Sequence, residues 1–270
     1  MIKLFVSDID GTLLISGKKI SARNIQAVQK MVAAGITVTI ATGRMYSAAL
    51  PIAKELGVNV PIITYDGALI KSVEGEILHC EYLPTDLIVE ITNFFEQKNW
   101  YLQNYSGDDL YCAFANDLTA LYEKSIKVHC NVTGWDGMKN LTADVCKLLS
   151  ISHTAEENLE KIKILKAEFG NRIEVTKSHP QFAEIIAPNV SKAAAVKILA
   201  EKLGVEKSEI MAIGDSDNDL PMLQAAGQSV AMGNADDKIK AACTFVTSNC
   251  EDDGFADAVE KFVFGGINEQ

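Results

Sequence analysis

Two aspartates near the start of the chain, Asp8 and Asp10, have the type and spacing of a catalytic acid pair. They follow an apolar run at 2–7 and precede Gly11, which allows the backbone to turn sharply. Two carboxylates at positions i and i+2 after a buried strand can divide the work of nucleophile and proton carrier. A lone pair of this kind is more often a polar turn, so other segments must decide its role.

Two further segments could bind an anion. Thr42 and Gly43 follow the second apolar run, and a hydroxyl with backbone N–H groups at a helix start forms a cradle for phosphate. The simpler alternative is that Thr42 only caps the helix. Lys192 lies in the first turn of a predicted helix, where a cation opposes the helix dipole unless an anion is nearby. Its simpler alternative is a solvated surface lysine.

A fourth segment, Asp215 to Asp219, places three acids and an amide after the apolar run at 210–213. Such a group is costly unless it binds a cation or accepts hydrogen bonds from loop amides. A calcium EF-hand loop is excluded, because the sixth position is Leu220 rather than Gly and the twelfth is Ala226 rather than Glu. Oxygen ligands beside a phosphate suit Mg²⁺.

Hydrophobic periodicity predicts the elements that position these segments. Strands and helices alternate up to about residue 70 and again after Pro188, which indicates a parallel sheet covered by helices. The predicted strands are 2–7, 36–40, 61–65, 69–72, 77–82, 100–105, 127–131, 172–176, 182–186, 210–213, 230–232 and 244–247; the predicted helices are 22–34, 45–56, 85–98, 155–169, 191–203, 218–226, 236–242 and 254–264.

The predicted fold is therefore α/β, with a doubly wound, Rossmann-like parallel sheet and an inserted α+β domain. We assign residues 1–82 and 188–270 to the sheet domain, called the core, and residues 83–187 to the insertion, called the cap. In open α/β sheets ligands bind beyond the carboxyl ends of the strands. All four polar segments follow such strand ends or begin the adjoining helices.

Composition limits the classes of function. Of the 270 residues 48% are hydrophobic, enough for a sizeable core, and the net charge of −11 disfavours nucleic acid as a partner. No run approaches the length needed to span a bilayer, and the apolar run at 2–7 is too short for a signal peptide. The six cysteines lack paired metal spacing, which indicates free thiols and a cytoplasmic location.

Taken together, the four motifs and their order resemble those of the haloacid dehalogenase superfamily. The Gly214-Asp215-x-x-Asn218-Asp219 motif and the insertion between the second and third motifs resemble its Cof-type, or type IIB, sugar-phosphatase branch. The resemblance covers essentially the whole chain. It implies a Mg²⁺-dependent phosphatase that hydrolyses a small phosphorylated metabolite, such as a sugar phosphate, through an aspartyl-phosphate intermediate.

The resemblance also implies a role for each motif residue. Asp8 matches the nucleophile and Asp10 the general acid/base, while Asp219 would orient Lys192 or the water molecules of the metal. Mg²⁺ would be held by the Asp8 carboxylate, the Asp10 backbone carbonyl and Asp215. The groups implied to bind the phosphoryl group are the Ile9 backbone, Thr42, Gly43, Lys192 and Asn218.

Two positions depart from the pattern of the branch. Asp66 stands where the branch usually has Asn, which adds negative charge near the cleft if the side chain faces it, and Ala193 replaces the usual Gly. Candidate substrate contacts are Arg44, Asp66 and His179. A surface salt bridge is the alternative for Arg44, and a structural loop position is the alternative for His179.

Three other classes of function could use some or all of these residues. A phosphomutase would use the same residues and stays open. A phospho-accepting signalling module is disfavoured, because Asp10 supplies an acid/base and a cap is superfluous to such a module. A binding protein without activity would predict a broken motif, whereas every motif residue is present. Sugar phosphates, nucleotides and flavin- or pyridoxal-type phosphates all remain candidate substrates, and the oligomeric state is undetermined.

Overall fold

A computed structural model describes residues 1–15, 19–58 and 60–265 of the chain. Its first sheet is parallel throughout and contains five strands, with the first strand, β1, between β2 and β12 in the order β14-β13-β12-β1-β2. Those strands are β1 (Leu4–Ser7), β2 (Thr37–Ile40), β12 (Ile210–Gly214), β13 (Gln228–Ala231) and β14 (Phe245–Val246).

Helices cover both faces of this sheet, as the apolar character of its strands requires. Phe5 belongs to one buried cluster with residues of the first helix, whereas its neighbours Leu4 and Val6 belong to a second cluster with residues of the seventh. The helices of the core are α1 (Ala22–Ala33), α2 (Tyr46–Leu56), α7 (Lys192–Leu203), α8 (Leu220–Ala225), α9 (Asp237–Ala242) and α10 (Gly254–Ala258), the last continued by π-helical turns at Val259–Phe264. The predicted doubly wound α/β fold is confirmed.

The third predicted strand differs from the expectation of a further parallel strand. Residues 62–64 form β3 (Ile62–Thr64), which pairs antiparallel with β4 (Leu69–Lys71), and β5 (Ile77–Cys80) completes a small sheet. An isolated parallel bridge between Ala41 and Ile63 joins it to the edge of the parallel sheet. The short turn between β3 and β4 accounts for this, since closely spaced strands pair as a hairpin.

The cap contains a mixed sheet of six strands in the order β10-β11-β9-β6-β7-β8, antiparallel except between β7 and β8. These strands fall within 103–186, and the boundaries of the cap at 83 and 187 stay a prediction. The strands are β6 (Gln103–Ser106), β7 (Asp109–Cys112), β8 (Cys130–Val132), β9 (Val145–Ile151), β10 (Glu174–Thr176) and β11 (Phe182–Ile186); the helices are α3 (Thr85–Lys98), α4 (Asp117–Ile126), α5 (Gly134–Asn140) and α6 (Ala155–Phe169).

Four of these cap elements, β7, α4, α5 and β9, were absent from the sequence prediction. The central strand β9 is buried at all seven positions, so it lacks the polar–apolar alternation that marks a half-exposed strand. Its one charged residue, Lys147, interrupts the apolar run and hides the strand further. The other three are short elements within a polar stretch of sequence.

The structure also bears on the cysteines and on the length of the helices. All six cysteines are free thiols, four of them buried and two, Cys80 and Cys243, half-buried. Among the described residues, no helix combines the length and the apolar character that crossing a bilayer would demand.

Candidate active site

The four sequence motifs meet at one edge of the core sheet. Asp8 follows β1 directly, and the neighbouring strands β2 and β12 lead into the motifs that begin at Thr42 and Asp215. In the parallel register the last residue of β1, Ser7, lies opposite Ile40 and Ile213, so the three strands end side by side. Pairing of sheet strands therefore brings together segments that are far apart in the chain.

Lys192 forms the electrostatic centre of this site. It begins α7 behind the capping residue Ser191, and its ammonium donates to Asp8 Oδ1 and Asp219 Oδ1, each at 2.6 Å. Burial alone would lower the pKa of Lys192, but Asp219 and Asp8 outweigh it and raise the pKa. The lysine is therefore a fixed buried cation rather than the solvated surface residue of the simpler alternative.

The acids outnumber their cation at this site. Asp8, Asp215 and Asp219 each have a carboxylate oxygen within 4.8 Å of the others. Burial raises the pKa of Asp8, as does the charge of Asp219. Burial also raises the pKa of Asp215 to about 7, again with a contribution from Asp219. A second positive charge would relieve this repulsion.

The hydrogen bonds show which of these oxygens are available to a metal ion. Asp219 is fully used, because its second oxygen accepts the backbone N–H groups of Asp215 and Ser216, each at 3.0 Å. The two oxygens of Asp215 accept from side chains instead, one from Thr12 at 3.0 Å and the other from Asn234 at 3.3 Å. Oxygen donors on Asp8 and Asp215, in an acidic pocket, fit Mg²⁺.

Gly11 makes the close approach of the first and fourth motifs possible. Its φ of +83° lies in the left-handed region, and a Cβ there would come within 2.3 Å of an oxygen of Asp215. A side chain at this position would therefore displace a carboxylate of the candidate metal site. Glycine at position 11 is therefore needed both for the turn of the backbone and for the position of the Asp215 carboxylate.

Asp10 is held by Arg44. The guanidinium donates from Nε and from its terminal nitrogen to the two oxygens of Asp10, at 2.7 and 2.6 Å. The side chain of Arg44 is 11% exposed and that of Asp10 is 42% exposed, so the pair lies at the mouth of the candidate site, and the predicted contact of Arg44 with substrate stays a prediction. The turn that carries it, residues 42–44, is braced by a hydrogen bond from the Arg44 N–H to the Thr42 hydroxyl at 3.1 Å.

The 42–44 turn is not a helix cap. Helix α2 begins at Tyr46 behind Met45, so Thr42 lies three residues before the capping position. Residues 42–44 instead line the cavity in front of Asp8. Ile9 is wholly buried and is not among the residues that line this cavity, so its predicted backbone contact with phosphate stays a prediction.

A cavity of about 210 Å³ lies between the core and the cap at this edge. A wider cleft of about 630 Å³, lined in part by Asp215, adjoins it, and Asp10, His179 and Ser216 line both. The lining residues of the smaller cavity are Asp8, Asp10, Thr42, Gly43, Arg44 and Ser216 from the core, and Tyr122, Ser125, Ile126, Ser178, His179, Phe182 and Glu184 from the cap.

His179 lines both cavities from the cap side, and its predicted contact with substrate stays a prediction. Its ring packs against Phe182 at a centroid distance of 4.8 Å, and burial lowers its pKa. A neutral imidazole at this position can donate or accept a hydrogen bond without adding charge.

Asp66 and Asn218 lie on a different side of the site. Asn218 Nδ2 donates to Asp66 Oδ1 at 2.8 Å, and both residues line a separate cleft with Lys192. Asp66 is 1% exposed and makes no part of the lining described for the smaller cavity. The structure thus places Asp66 beneath the site, and the predicted contact of Asn218 with phosphate stays a prediction.

Sequence reasoning missed two charged cap residues at the site, Lys147 and Glu184. Both are buried, and Lys147 Nζ lies 2.9 Å from Glu184 Oε1. A usable signal was present, because each is the only charged residue in a strand of otherwise apolar or small side chains. Buried charges in such strands are kept only where they are paired.

Comparison with known proteins assigns this architecture to a family. The model of the haloacid dehalogenase-like hydrolases matches residues 5–259. The 5-amino-6-(5-phospho-D-ribitylamino)uracil phosphatase YcsE of Bacillus subtilis is 30% identical over 265 residues, covering 97% of this chain and 96% of its own.

Two solved structures share the fold over the same length. A protein of Thermotoga maritima is 32% identical, with a TM-score of 0.84 over 97% of this chain and 98% of its own. A sugar phosphatase of haloacid dehalogenase subclass IIB is 25% identical, with a TM-score of 0.85 over 97% of this chain and 99% of its own.

The chain belongs to the haloacid dehalogenase-like hydrolase family. The resemblance to the Cof-type, type IIB branch is confirmed, as is the enzyme class, a phosphomonoester hydrolase.

Proposed function

We propose that this phosphatase is Mg²⁺-dependent and hydrolyses a small phosphorylated metabolite through a phosphate ester of Asp8. The observation that carries the proposal is the buried contact of Lys192 with Asp8 and Asp219 at the end of β1, facing a cavity of metabolite size. Burial and the charge of Asp219 raise the pKa of Asp8, whereas Lys192 lowers it and so favours the ionised carboxylate, which is the form that attacks phosphorus.

The reaction divides into two displacements. In the first, an oxygen of Asp8 forms a bond to phosphorus while the bond to the leaving oxygen breaks, and Asp10 gives its proton to that oxygen. In the second, Asp10 takes a proton from water, the water oxygen attacks phosphorus, and the Asp8–phosphorus bond breaks to release phosphate. Mg²⁺ on Asp8 and Asp215 would supply positive charge for the phosphoryl oxygens.

Arg44 bonds both oxygens of Asp10 in the conformation seen here. Asp10 exchanges a proton with the leaving oxygen and with water through these same oxygens. We infer that Arg44 releases at least one of them during turnover. We expect it to turn toward the substrate, whose cavity it already lines.

The substrate class follows from the cavity and from the relatives. About 210 Å³ in front of Asp8 accommodates a small leaving group, and its cap side offers both aromatic and polar contacts, such as Tyr122 and His179. The compared proteins include a sugar phosphatase and a ribitylaminouracil phosphatase. Phosphorylated sugars and phosphoribityl compounds are therefore the first candidates.

A panel of phosphorylated metabolites at fixed Mg²⁺ tests the proposal. We expect release of inorganic phosphate, with the highest kcat/KM for a sugar phosphate or a phosphoribityl compound, because these match the cavity and the relatives. Single-turnover measurement should show phosphate appearing in solution. Transfer of the phosphoryl group to a second position of the substrate, with no free phosphate, would instead identify a phosphomutase.

Removal of the metal should abolish activity reversibly, and Mg²⁺ affinity should depend on pH. Because the pKa of Asp215 is about 7 without metal, its proton must leave when the ion binds. Lowering the pH from 8 to 6 should therefore weaken Mg²⁺ binding by about tenfold or more. Calorimetric titration at the two pH values measures the change in Mg²⁺ affinity. Full activity in excess chelator would contradict the dependence of activity on the metal.

The cellular setting is part of the same proposal. Six free cysteines suit a reducing, cytoplasmic location. The net charge of −11 argues against nucleic acid as the partner and leaves the small phosphorylated substrate as the expected ligand.

A further inference from the structure

A buried lysine of the cap reaches into the core beside the active site. Lys147 lies in the middle of β9, is 1% exposed, and donates a short hydrogen bond to the backbone carbonyl of Gly43. Gly43 belongs to the 42–44 turn, in which the Gly43 N–H and the Thr42 hydroxyl are the proposed phosphate donors, while the N–H groups of Thr42 and Arg44 bond within the protein. Any role of Lys147 in catalysis therefore rests on the proposed function of this turn.

Two acids, one from each domain, hold the Lys147 ammonium. Glu184 of β11 accepts its hydrogen bond at 2.9 Å, and Asp66 Oδ2 of the core lies 3.6 Å away. Burial alone would lower the pKa of Lys147, but Glu184 and Asp66 outweigh it and raise the pKa. Burial raises the pKa of Glu184, with Asp66 adding to the effect.

The packing around Gly43 is tight on the side that faces Asp66 and Glu184. A Cβ added to Gly43 would meet oxygens of Asp66 and Glu184 at 3.0 Å. The turn is thus enclosed by the carboxylates of Asp66 and Glu184, with the Lys147 ammonium bonded to its carbonyl. These buried charged side chains have little freedom to move, because a shift would leave a charge without its partner.

We propose that Lys147 is a positioning residue that fixes the 42–44 turn for phosphate binding when the cap lies on the core. Its hydrogen bond orients the peptide group between Gly43 and Arg44, whose N–H in turn bonds the Thr42 hydroxyl. The direction of the donors toward the phosphoryl group is therefore set partly by the cap.

Asp66 has a defined part in this arrangement. Its first oxygen accepts from Asn218, and its second faces Lys147, so one carboxylate connects the fourth motif to the cap lysine. An asparagine could accept the same bond from Asn218 but would add no charge toward Lys147. The acid at this position, unusual for the branch, strengthens the hold on the cap lysine from the core side.

The first test is Lys147→Met, which keeps the length of the side chain and removes its charge. We expect kcat to fall by about 100-fold, since a small displacement of positioned donors has an effect of that size. Lys161→Met is the matched control, because Lys161 is also a buried cap lysine with a carboxylate partner, Glu157 at 2.8 Å, on helix α6. The control should keep wild-type kcat.

A neutral triple variant separates positioning from charge balance. Lys147→Met combined with Asp66→Asn and Glu184→Gln leaves no uncompensated charge, so it should fold even if the single variant does not. If Lys147 positions the turn, the triple variant regains stability but keeps the 100-fold loss of kcat. A triple variant with wild-type kcat would overturn the proposal, because charge balance alone would then be the role of Lys147.

Binding of tungstate, a phosphate mimic, in the presence of Mg²⁺ makes the test independent of turnover. We expect the triple variant to bind tungstate about tenfold or more weakly than the wild type. Hydrogen bonds to a charged acceptor are stronger than neutral ones, so misaligned donors weaken anion binding markedly. Wild-type protein that binds tungstate but hydrolyses no phosphate ester would refute the proposed function alone. Equal tungstate affinity of the wild type and the triple variant would refute the positioning role.

Discussion

Asp8→Asn is expected to lower kcat by about 10⁴-fold or more, because the amide has no nucleophilic oxygen and the covalent step cannot occur. The substitution keeps the size and shape of the side chain. Steady-state release of phosphate from the best substrate measures the effect. Peptide mapping of wild-type enzyme quenched during turnover should place a phosphoryl group on the peptide that contains Asp8.

The fold should survive this substitution. Asp8 is 4% exposed and adds negative charge to a cluster that already contains Asp215 and Asp219. Lys192 retains its second partner, Asp219, at 2.6 Å. We therefore expect the free energy of unfolding in urea to be no lower than that of the wild type.

The control is the same Asp-to-Asn change at a position away from the site. The side chain of Asp136 on α5 is fully exposed, so Asp136→Asn should change neither kcat nor stability. Retention of steady-state hydrolysis by a folded Asp8→Asn protein would refute Asp8 as the nucleophile.

The second large effect is expected for Lys192→Met. This change leaves Asp8 and Asp219 buried without their shared cation, and removal of one partner of a buried ion pair costs about 3–5 kcal/mol of stability. It also removes the charge that faces the transferring phosphoryl group, so kcat should fall by about 10³-fold. Urea unfolding and steady-state kinetics measure the two effects separately.

The same helix provides the control. Lys197 on α7 is 78% exposed and lies 3.9 Å from Glu201, so Lys197→Met should alter the free energy of unfolding by less than about 0.5 kcal/mol. Equal stabilities of the Lys192 and Lys197 variants would show that the buried ion pairs contribute nothing measurable. Wild-type kcat in the Lys192 variant would remove this lysine from the mechanism.

The core and its motifs could be predicted because the signals are local. A strand followed at once by Asp8 or by Asp215 shows in consecutive residues, and the parallel pairing rules then place the strand ends together. The boundaries of α1 and α7 were predicted to within one residue, because Ser21 and Ser191 cap them with their side chains.

The cap was harder, and β9 shows why. All seven of its residues are buried, so both faces of the strand are covered, and that double burial erases the alternating pattern. Its pairing partners, β6 and β11, do not adjoin it in the chain. The same holds for the hairpin at β3, where a short turn outweighed the expectation of a further parallel strand.

Sequence alone was sufficient for the family, the α/β fold and the acids, hydroxyl and lysine of the four motifs, since residue type and order carry that information. The tertiary structure was needed to show that Asp66 lies beneath the site, that Arg44 holds Asp10, and that Lys147, paired with Glu184, bonds the Gly43 carbonyl from the cap. These are contacts between distant segments, and their energies depend on distance and burial that no single stretch of sequence contains.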